Sequence, residues 1–136
     1  MKLRIKGSSL RLRLTQGEVQ QLDMHGEVAE QVHFAPGTVL TYRILIDKNN
    51  KDITASYAGN LIDIRIPESM AREWSRSEAV TLSRDQPITA VTAVSGSAPG
   101  ELRVVIEKDW ACLAPRPDED ESDHFPHPDV PGGRTC

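Results

Sequence analysis

The first fourteen residues alternate apolar and basic side chains in two runs, Lys2–Lys6 and Leu10–Leu14, separated by Gly7-Ser8-Ser9. Leucine or isoleucine occupies every second position of each run, and lysine or arginine occupies the positions between. A period of two residues is typical of a β-strand that buries one face and exposes the other. The pattern therefore predicts two neighbouring strands with an apolar buried face and a cationic exposed face.

Two short helices are predicted from local signals. Thr15 and Glu18 have the spacing of a capping box, and Gly26 is a typical residue at a helix end. These residues predict a helix over about residues 16–25, although a glycine in its first turn weakens it. A second helix is predicted to begin at Pro67, because proline suits the first helical turn.

Further strands are predicted wherever apolar residues alternate or cluster between turns: 27–35, 38–47, 53–57, 62–66, 80–82, 88–94 and 102–106. The short turns before residue 66 predict an antiparallel meander. The order strand–helix–strand–strand occurs twice, around 10–46 and 61–94, which leaves open a duplicated half. Together these elements predict an α+β fold: a mainly antiparallel, curled or barrel-like sheet of about seven to nine strands with two short helices.

The chain changes character after Trp110. Residues 114–136 hold five of the nine prolines and no periodic apolar pattern. Because proline disrupts helices and sheets, this segment is predicted to be an extended C-terminal arm, either docked or disordered. The expected organisation is a single domain over 1–113 followed by the arm, which docks through Trp110, Leu113 and Phe125.

Composition indicates a soluble domain, with 38% hydrophobic and 26% charged residues. The net charge of −4 shows no basic excess of the kind found in nucleic-acid-binding or membrane-binding proteins. No apolar run approaches the roughly twenty residues of a membrane helix, and the start lacks the apolar core of a signal peptide. A cytoplasmic location is therefore expected, and Cys112 and Cys136, interpreted as free thiols, fit it.

The first candidate site is the basic strand face, which we define as Lys2, Arg4, Lys6, Arg11 and Arg13. Arginine forks match the oxygens of a phosphate group, and lysine adds a point charge, so this face could bind an anion. Two other interpretations stay open: a solvated sheet face, and a face paired with the acidic arm or with an acidic partner. No aromatic residue lies between the basic positions, which makes nucleic acid an unlikely partner.

The second candidate site is a divalent metal site in and before the arm, with Cys112, Asp120, Asp123, His124 and His127 as candidate ligands. Carboxylates suit hard cations, and imidazoles suit zinc or copper. However, the spacing Cys-x11-His-x2-His-x8-Cys matches no familiar zinc module, and a run of acidic residues is also typical of disordered tails. No cofactor is predicted, and a divalent metal is kept as an alternative.

Two stretches carry a resemblance to a known family: MKLRIKGSSLRLRLT at the start and EKDWACLAPRPDEDESDHFPHP near the end. Together they resemble a family of small uncharacterised bacterial proteins of unknown function. That family usually has phenylalanine at the position of Trp110 and asparagine at that of His127, which argues against His127 as an essential ligand. The resemblance implies one compact domain to which the arm belongs, and it carries over no catalytic residue.

The leading hypothesis is a non-enzymatic binding or interaction module that uses the basic strand face to bind a phosphate-bearing ligand or an acidic protein surface. No phosphate loop, nucleophile elbow or HExxH motif is present, and no catalytic residue is assigned. The rival hypothesis is a metal protein or enzyme with its site where the arm meets the sheet. A third is a triphosphate-binding relative of charged-interior β-barrels, which requires the basic residues to line the interior.

Overall fold

The structure is a computed structural model, and it describes residues 1–88, 100–112 and 116–127. Most of the strand predicted over 88–94 lies outside these ranges, as do Leu113 and Cys136. Within the described ranges, no helix combines the length and the apolar character needed to cross a membrane.

The described chain contains eight strands and two short helices, so the predicted α+β class and both predicted helices are confirmed. Along the chain, the elements are β1 (Lys2–Ile5), β2 (Ser9–Leu14), α1 (Gln16–His25), β3 (Glu27–Ala35), β4 (Thr38–Asp47), β5 (Thr54–Ala58), β6 (Leu61–Pro67), α2 (Glu68–Arg76), β7 (Thr81–Pro87) and β8 (Glu101–Lys108).

The strands form two sheets of four, and not the single curled or barrel-like sheet that the pattern predicted. Sheet A has the order β1-β2-β8-β7, and sheet B has the order β3-β4-β6-β5. Neighbouring strands are antiparallel except for the two central pairs, β2 with β8 and β4 with β6, which are parallel. The sheets are therefore mainly antiparallel, as predicted.

The predicted meander through β3 to β6 is wrong at β5. This strand pairs with the far side of β6, and β6 lies between it and β4. The six residues between β4 and β5 can span well over the two strand spacings, about 10 Å, that this crossing needs. The short turn thus fits a crossover as well as a hairpin.

The two halves of the described chain repeat the same order of elements, ββαββ. In each half, the antiparallel strand pair before the helix lies in one sheet and the antiparallel strand pair after it lies in the other. If β1–β4 are matched in order with β5–β8, every strand of sheet A corresponds to a strand of sheet B. The two sheets then have the same strand order and the same parallel central pair. The first predicted copy of strand–helix–strand–strand, around 10–46, corresponds to β2, α1, β3 and β4. The last strand of the second predicted copy, 88–94, lies mostly outside the described residues, and the described element that follows β7 is β8.

The inner faces of the two sheets share one core. Leu12 and Leu14 of β2 are fully buried, in one cluster with Ile44, Ile64 and Ile106 from both sheets. Both helices add apolar side chains to this cluster, among them the buried indole of α2. Because strand side chains alternate, burial of these residues directs the charged positions between them to the outer faces.

The predicted limits of α1 are confirmed by its caps. The Thr15 hydroxyl accepts the Glu18 N–H at 3.4 Å, and the Glu18 carboxylate accepts the Thr15 N–H at 2.9 Å. Gly26 has a φ of 79° and donates its N–H to the Leu22 carbonyl at 2.9 Å. These contacts satisfy backbone groups at both helix ends and fix where the first turn lies.

The outer face of sheet B carries a partly buried ion-pair network around Asp63. This residue is 8% exposed, and its carboxylate accepts hydrogen bonds from Arg43 at 2.8 Å and Arg65 at 3.0 Å. Burial raises the pKa of Asp63, but the hydrogen bonds and charges of the two arginines outweigh burial and hold the pKa below its ordinary value.

Asp63→Asn leaves the two arginines without their shared carboxylate, and we expect it to lower the free energy of unfolding by about 1–3 kcal/mol at pH 7. Because the folded pKa is lowered, this contribution is complete above the ordinary aspartate pKa of about 4. It is then lost as the pH falls through the folded value. Urea unfolding of both proteins at pH 7 and at about pH 3 measures the difference.

Asp85→Asn is the matched control, because Asp85 pairs with Arg103 at 3.1 Å while both side chains are about half exposed. We expect this substitution to cost less than about 1 kcal/mol. Equal losses in the two variants, or an Asp63→Asn deficit that persists unchanged in acid, would contradict the account.

Candidate functional site

Four residues of the basic strand face form a compact block on the outer face of sheet A. In the antiparallel register of β1 and β2, Lys2 lies opposite Arg13 and Arg4 lies opposite Arg11. These four side chains, together with Leu3, line a cavity of about 180 Å³, which we call the basic cavity. The fifth predicted residue, at position 6, follows the end of β1 and does not line this cavity.

The basic cavity lies on the outer face of sheet A. This position tests the third hypothesis, a charged-interior β-barrel, which requires the basic residues to line the interior. The strands described here form two open sheets, and Leu12 and Leu14 occupy the interior. A charged-interior barrel is therefore wrong for this chain.

Carboxylates neutralise the block only in part. Glu107 of β8 accepts a hydrogen bond from Arg13 Nε at 2.7 Å, and its carboxylate lies 3.7 Å from Arg11. In the described parts of the chain, no carboxylate forms an ion pair with Arg4. The cavity thus keeps a local excess of positive charge, with two arginines oriented by one glutamate.

Lys2 connects the basic cavity to a second group of charged residues beside it. Its Nζ lies 3.3 Å from Asp109 Oδ2, 3.2 Å from Glu119 Oε1 and 3.4 Å from His124 Nε2. Burial lowers the pKa of Lys2, but the hydrogen bonds and charges of Glu119 and Asp109 outweigh burial and raise the pKa above its ordinary value. Lys2 is therefore a stable cation with arginines on one side and carboxylates on the other.

Asp109 and His124 form a buried pair behind Lys2. They are 4% and 7% exposed, and His124 Nε2 lies 3.0 Å from Asp109 Oδ2. Among the described residues, His124 Nδ1 is the only buried side-chain polar atom without a hydrogen-bond partner. A carboxylate that holds one imidazole nitrogen fixes the ring orientation, an arrangement also used in acid–base and metal sites.

The described part of the arm, 116–127, docks on the first turn of α1. Gln16 donates its N–H to the Asp123 carbonyl at 2.9 Å, and Gly17 donates its N–H to Asp123 Oδ1 at 3.1 Å. A Cβ atom at position 17 would lie 2.8 Å from Asp123 Oδ2. The glycine that weakens the helix in the sequence therefore makes room for the arm.

The arm also docks on the chain that leaves β8. Phe125 donates its N–H to the Asp109 carbonyl, and its own carbonyl accepts the Ala111 N–H, both at 2.9 Å. The Phe125 ring centroid lies 5.7 Å from that of Trp110 and 5.5 Å from Lys108 Nζ. Trp110 and Phe125, two of the three predicted anchors, thus contact each other.

The five candidate metal ligands occupy different places. The Asp123 carboxylate accepts a hydrogen bond from the first turn of α1, and His124 pairs with Asp109. Asp120 accepts the Ser122 N–H at 3.0 Å. Cys112 and His127 lie at the two ends of the docked region. No group of three or more His, Cys, Asp or Glu side chains within the described ranges is arranged to hold an ion. The metal site stays a prediction for Asp120, Asp123, His124 and His127, whereas Cys112 is disulfide-bonded and has no thiolate to offer a metal.

The interpretation of Cys112 as a free thiol is wrong, because this residue is disulfide-bonded. Its backbone N–H donates to Glu121 Oε2 at 2.9 Å. Since disulfides are rare in reducing compartments, the cysteines no longer support a cytoplasmic location.

Sequence reasoning missed two acidic partners of the basic block, Glu107 and Asp109, which lie on either side of the last residue of β8. Glu119 belongs to the acidic arm, whose pairing with the basic strand face was one of the interpretations left open, and its ion pair with Lys2 confirms that pairing for this one residue. The signal for Glu107 and Asp109 was the parallel pairing of β8 with β2, which no local pattern reveals. For Glu119, the signal was the charge complementarity between the arm and the N-terminal strands.

The docking of the arm can be tested with the two phenylalanines of the chain. Phe125→Ala removes the ring between Trp110 and Lys108. We expect hydrogen exchange at the backbone amides of positions 125 and 16 to be about ten-fold faster than in the wild type. Phe34→Ala is the control, because Phe34 is 69% exposed and distant in the sequence from the arm. Equal exchange rates in the two variants would contradict this account of the docking.

Comparison with known proteins identifies the chain only at the level of a family. A model for a family of unknown function, DUF7009, matches residues 1–129. No curated protein and no solved structure is detectably similar to the chain. The matched region includes β1, β8 and the described arm, so the residues around Lys2 all lie within it. The chain therefore belongs to the DUF7009 family, whose function is unknown.

Proposed function

We propose that the protein is a non-enzymatic binding module that holds an anionic group in the basic cavity of sheet A. The observation that carries this proposal is the convergence of four cations, Lys2, Arg4, Arg11 and Arg13, on one cavity. Arg4 adds the strongest argument, because it forms no ion pair within the described residues and is available to a ligand.

The size and chemistry of the cavity favour one oxyanion group. A volume of about 180 Å³ is below the roughly 300–1,000 Å³ of sites that enclose a drug-sized ligand. Guanidinium groups donate two parallel hydrogen bonds to phosphate or carboxylate oxygens, so three arginines suit a phosphoryl group well. We therefore propose a phosphate-bearing ligand whose remaining part lies outside the cavity.

An acidic protein surface is the second partner class that fits the same cations, since a carboxylate has the same bidentate geometry. Nucleic acid is disfavoured by the lack of stacking aromatics among these residues. The bacterial origin and the cytoplasmic location stay predictions.

A second candidate function, a metal protein or enzyme with its site where the arm meets the sheet, has one observation in its favour. That observation is the buried Asp109–His124 pair with its unpartnered Nδ1 atom in the described chain. Stoichiometric metal in protein purified without chelators, together with a lower melting temperature in EDTA, would support it. Metal-free protein whose melting ignores EDTA would count against it.

Isothermal titration of the full chain with inorganic phosphate tests the leading proposal. We expect saturable binding that weakens with added salt, and a loss of about ten-fold or more in Arg4→Ser, because a hydrogen bond to a charged group contributes about 1.5–3 kcal/mol.

Arg103→Ser is the matched control. Arg103 lies on β8 next to β2, pairs with Asp85 and does not line the cavity. Its loss removes the same charge, so affinity should change by no more than about two-fold at 0.15 M salt. Absence of saturable binding, or equal losses in the two variants, would refute the proposed function.

A further inference from the structure

Lys2 takes part in two arrangements at once. It lines the basic cavity beside Arg4 and Arg13, and the same ammonium group pairs with Asp109 and with Glu119 of the arm. An ammonium group has three donors, so an anion in the cavity must share them with these carboxylates.

The two carboxylates differ in how readily they can give way. Asp109 is 4% exposed and its carbonyl is tied to Phe125, so it is part of the packed structure. The Glu119 side chain is 40% exposed and reaches Lys2 from the turn that begins at Arg116. Glu119 is therefore the exchangeable partner of Lys2.

We propose that Glu119 is an internal competitor for the oxyanion, so that the arm regulates binding in the basic cavity. This inference rests on the proposed function. When an anion binds, its negative charge repels the Glu119 carboxylate and takes over its place at Lys2. When Glu119 pairs with Lys2, one cation fewer in the cavity is available to bind the anion.

The competition extends to the docking of the arm as a whole. Lys2 Nζ lies 3.4 Å from Nε2 of His124, a buried residue of the arm that also contacts Asp109 and precedes Phe125. Withdrawal of Lys2 from Glu119 removes one of the contacts that hold 116–127. By thermodynamic linkage, a ligand that is weakened by arm docking must weaken arm docking by the same factor.

Phosphate titration of Glu119→Gln, compared with Asp118→Asn, tests this inference. Both substitutions remove one negative charge from the arm, but among the described residues Asp118 forms no ion pair. At 0.15 M salt we expect Glu119→Gln to bind phosphate about two- to five-fold more tightly than wild type, the range of one exposed ion pair. Asp118→Asn should show less than half of that change.

A second measurement, hydrogen exchange, tests the reciprocal effect, which is the weakening of arm docking by bound phosphate. In the wild-type chain, saturating phosphate should accelerate hydrogen exchange at the Phe125 amide, and the acceleration should be smaller in Glu119→Gln. Equal affinities in Glu119→Gln and Asp118→Asn, or weaker binding in Glu119→Gln, would overturn the competition while leaving the proposed function intact. Failure of the wild type and of both variants to bind phosphate would overturn both.

Discussion

The packing of the two inner sheet faces is the interaction on which the rest of the structure depends. Leu12 and Leu14 of β2 are buried against the core, and in an alternating strand this places Arg11 and Arg13 on the outside. A slip of one residue in register would exchange the two sets and bury the arginines. The apolar core therefore determines the position of the cations, and the basic cavity is a consequence of the sheet packing.

The second requirement is the parallel pairing of β2 with β8. It places Glu107 beside Arg13 and brings the chain after β8 to the end of β2, where the Asp109 N–H donates to the Leu14 carbonyl at 2.8 Å. From there the arm reaches Lys2 and α1. The first strand and the last described segment thus meet at one place, and the charges of both are combined there.

The parts of the fold with local signals could be predicted from the sequence. Alternation revealed which faces of β1 and β2 are charged, and Thr15, Glu18 and Gly26 marked the ends of α1, because capping depends on neighbouring residues. The division into two sheets and the place of β5 could not be predicted, since a short turn permits either a hairpin or a crossover.

Only part of the candidate site could be predicted from the sequence, namely its basic residues and not their contacts with distant residues. Lys2, Arg4, Arg11 and Arg13 lie close in sequence, and their convergence follows from one hairpin. The cluster of Lys2 with Asp109 joins residues more than a hundred positions apart, so it depends on tertiary pairing that no local pattern contains. Gly17 shows the same limit: its sequence context indicates only a weak helix start, whereas in the structure its N–H donates to the Asp123 carboxylate, which lies close to where a side chain at position 17 would begin.

Backbone amide chemical shifts recorded while inorganic phosphate is added to the full chain test the central claim most directly. The account predicts shift changes concentrated in residues 2–4 and 11–13, with a second group in the arm from 119 to 125. It predicts no change at Leu40, Tyr57 and Leu102, which line an apolar cavity of about 450 Å³ and belong to other strands than the basic residues. Shift changes centred on that apolar cavity, or none at any phosphate concentration, would contradict it.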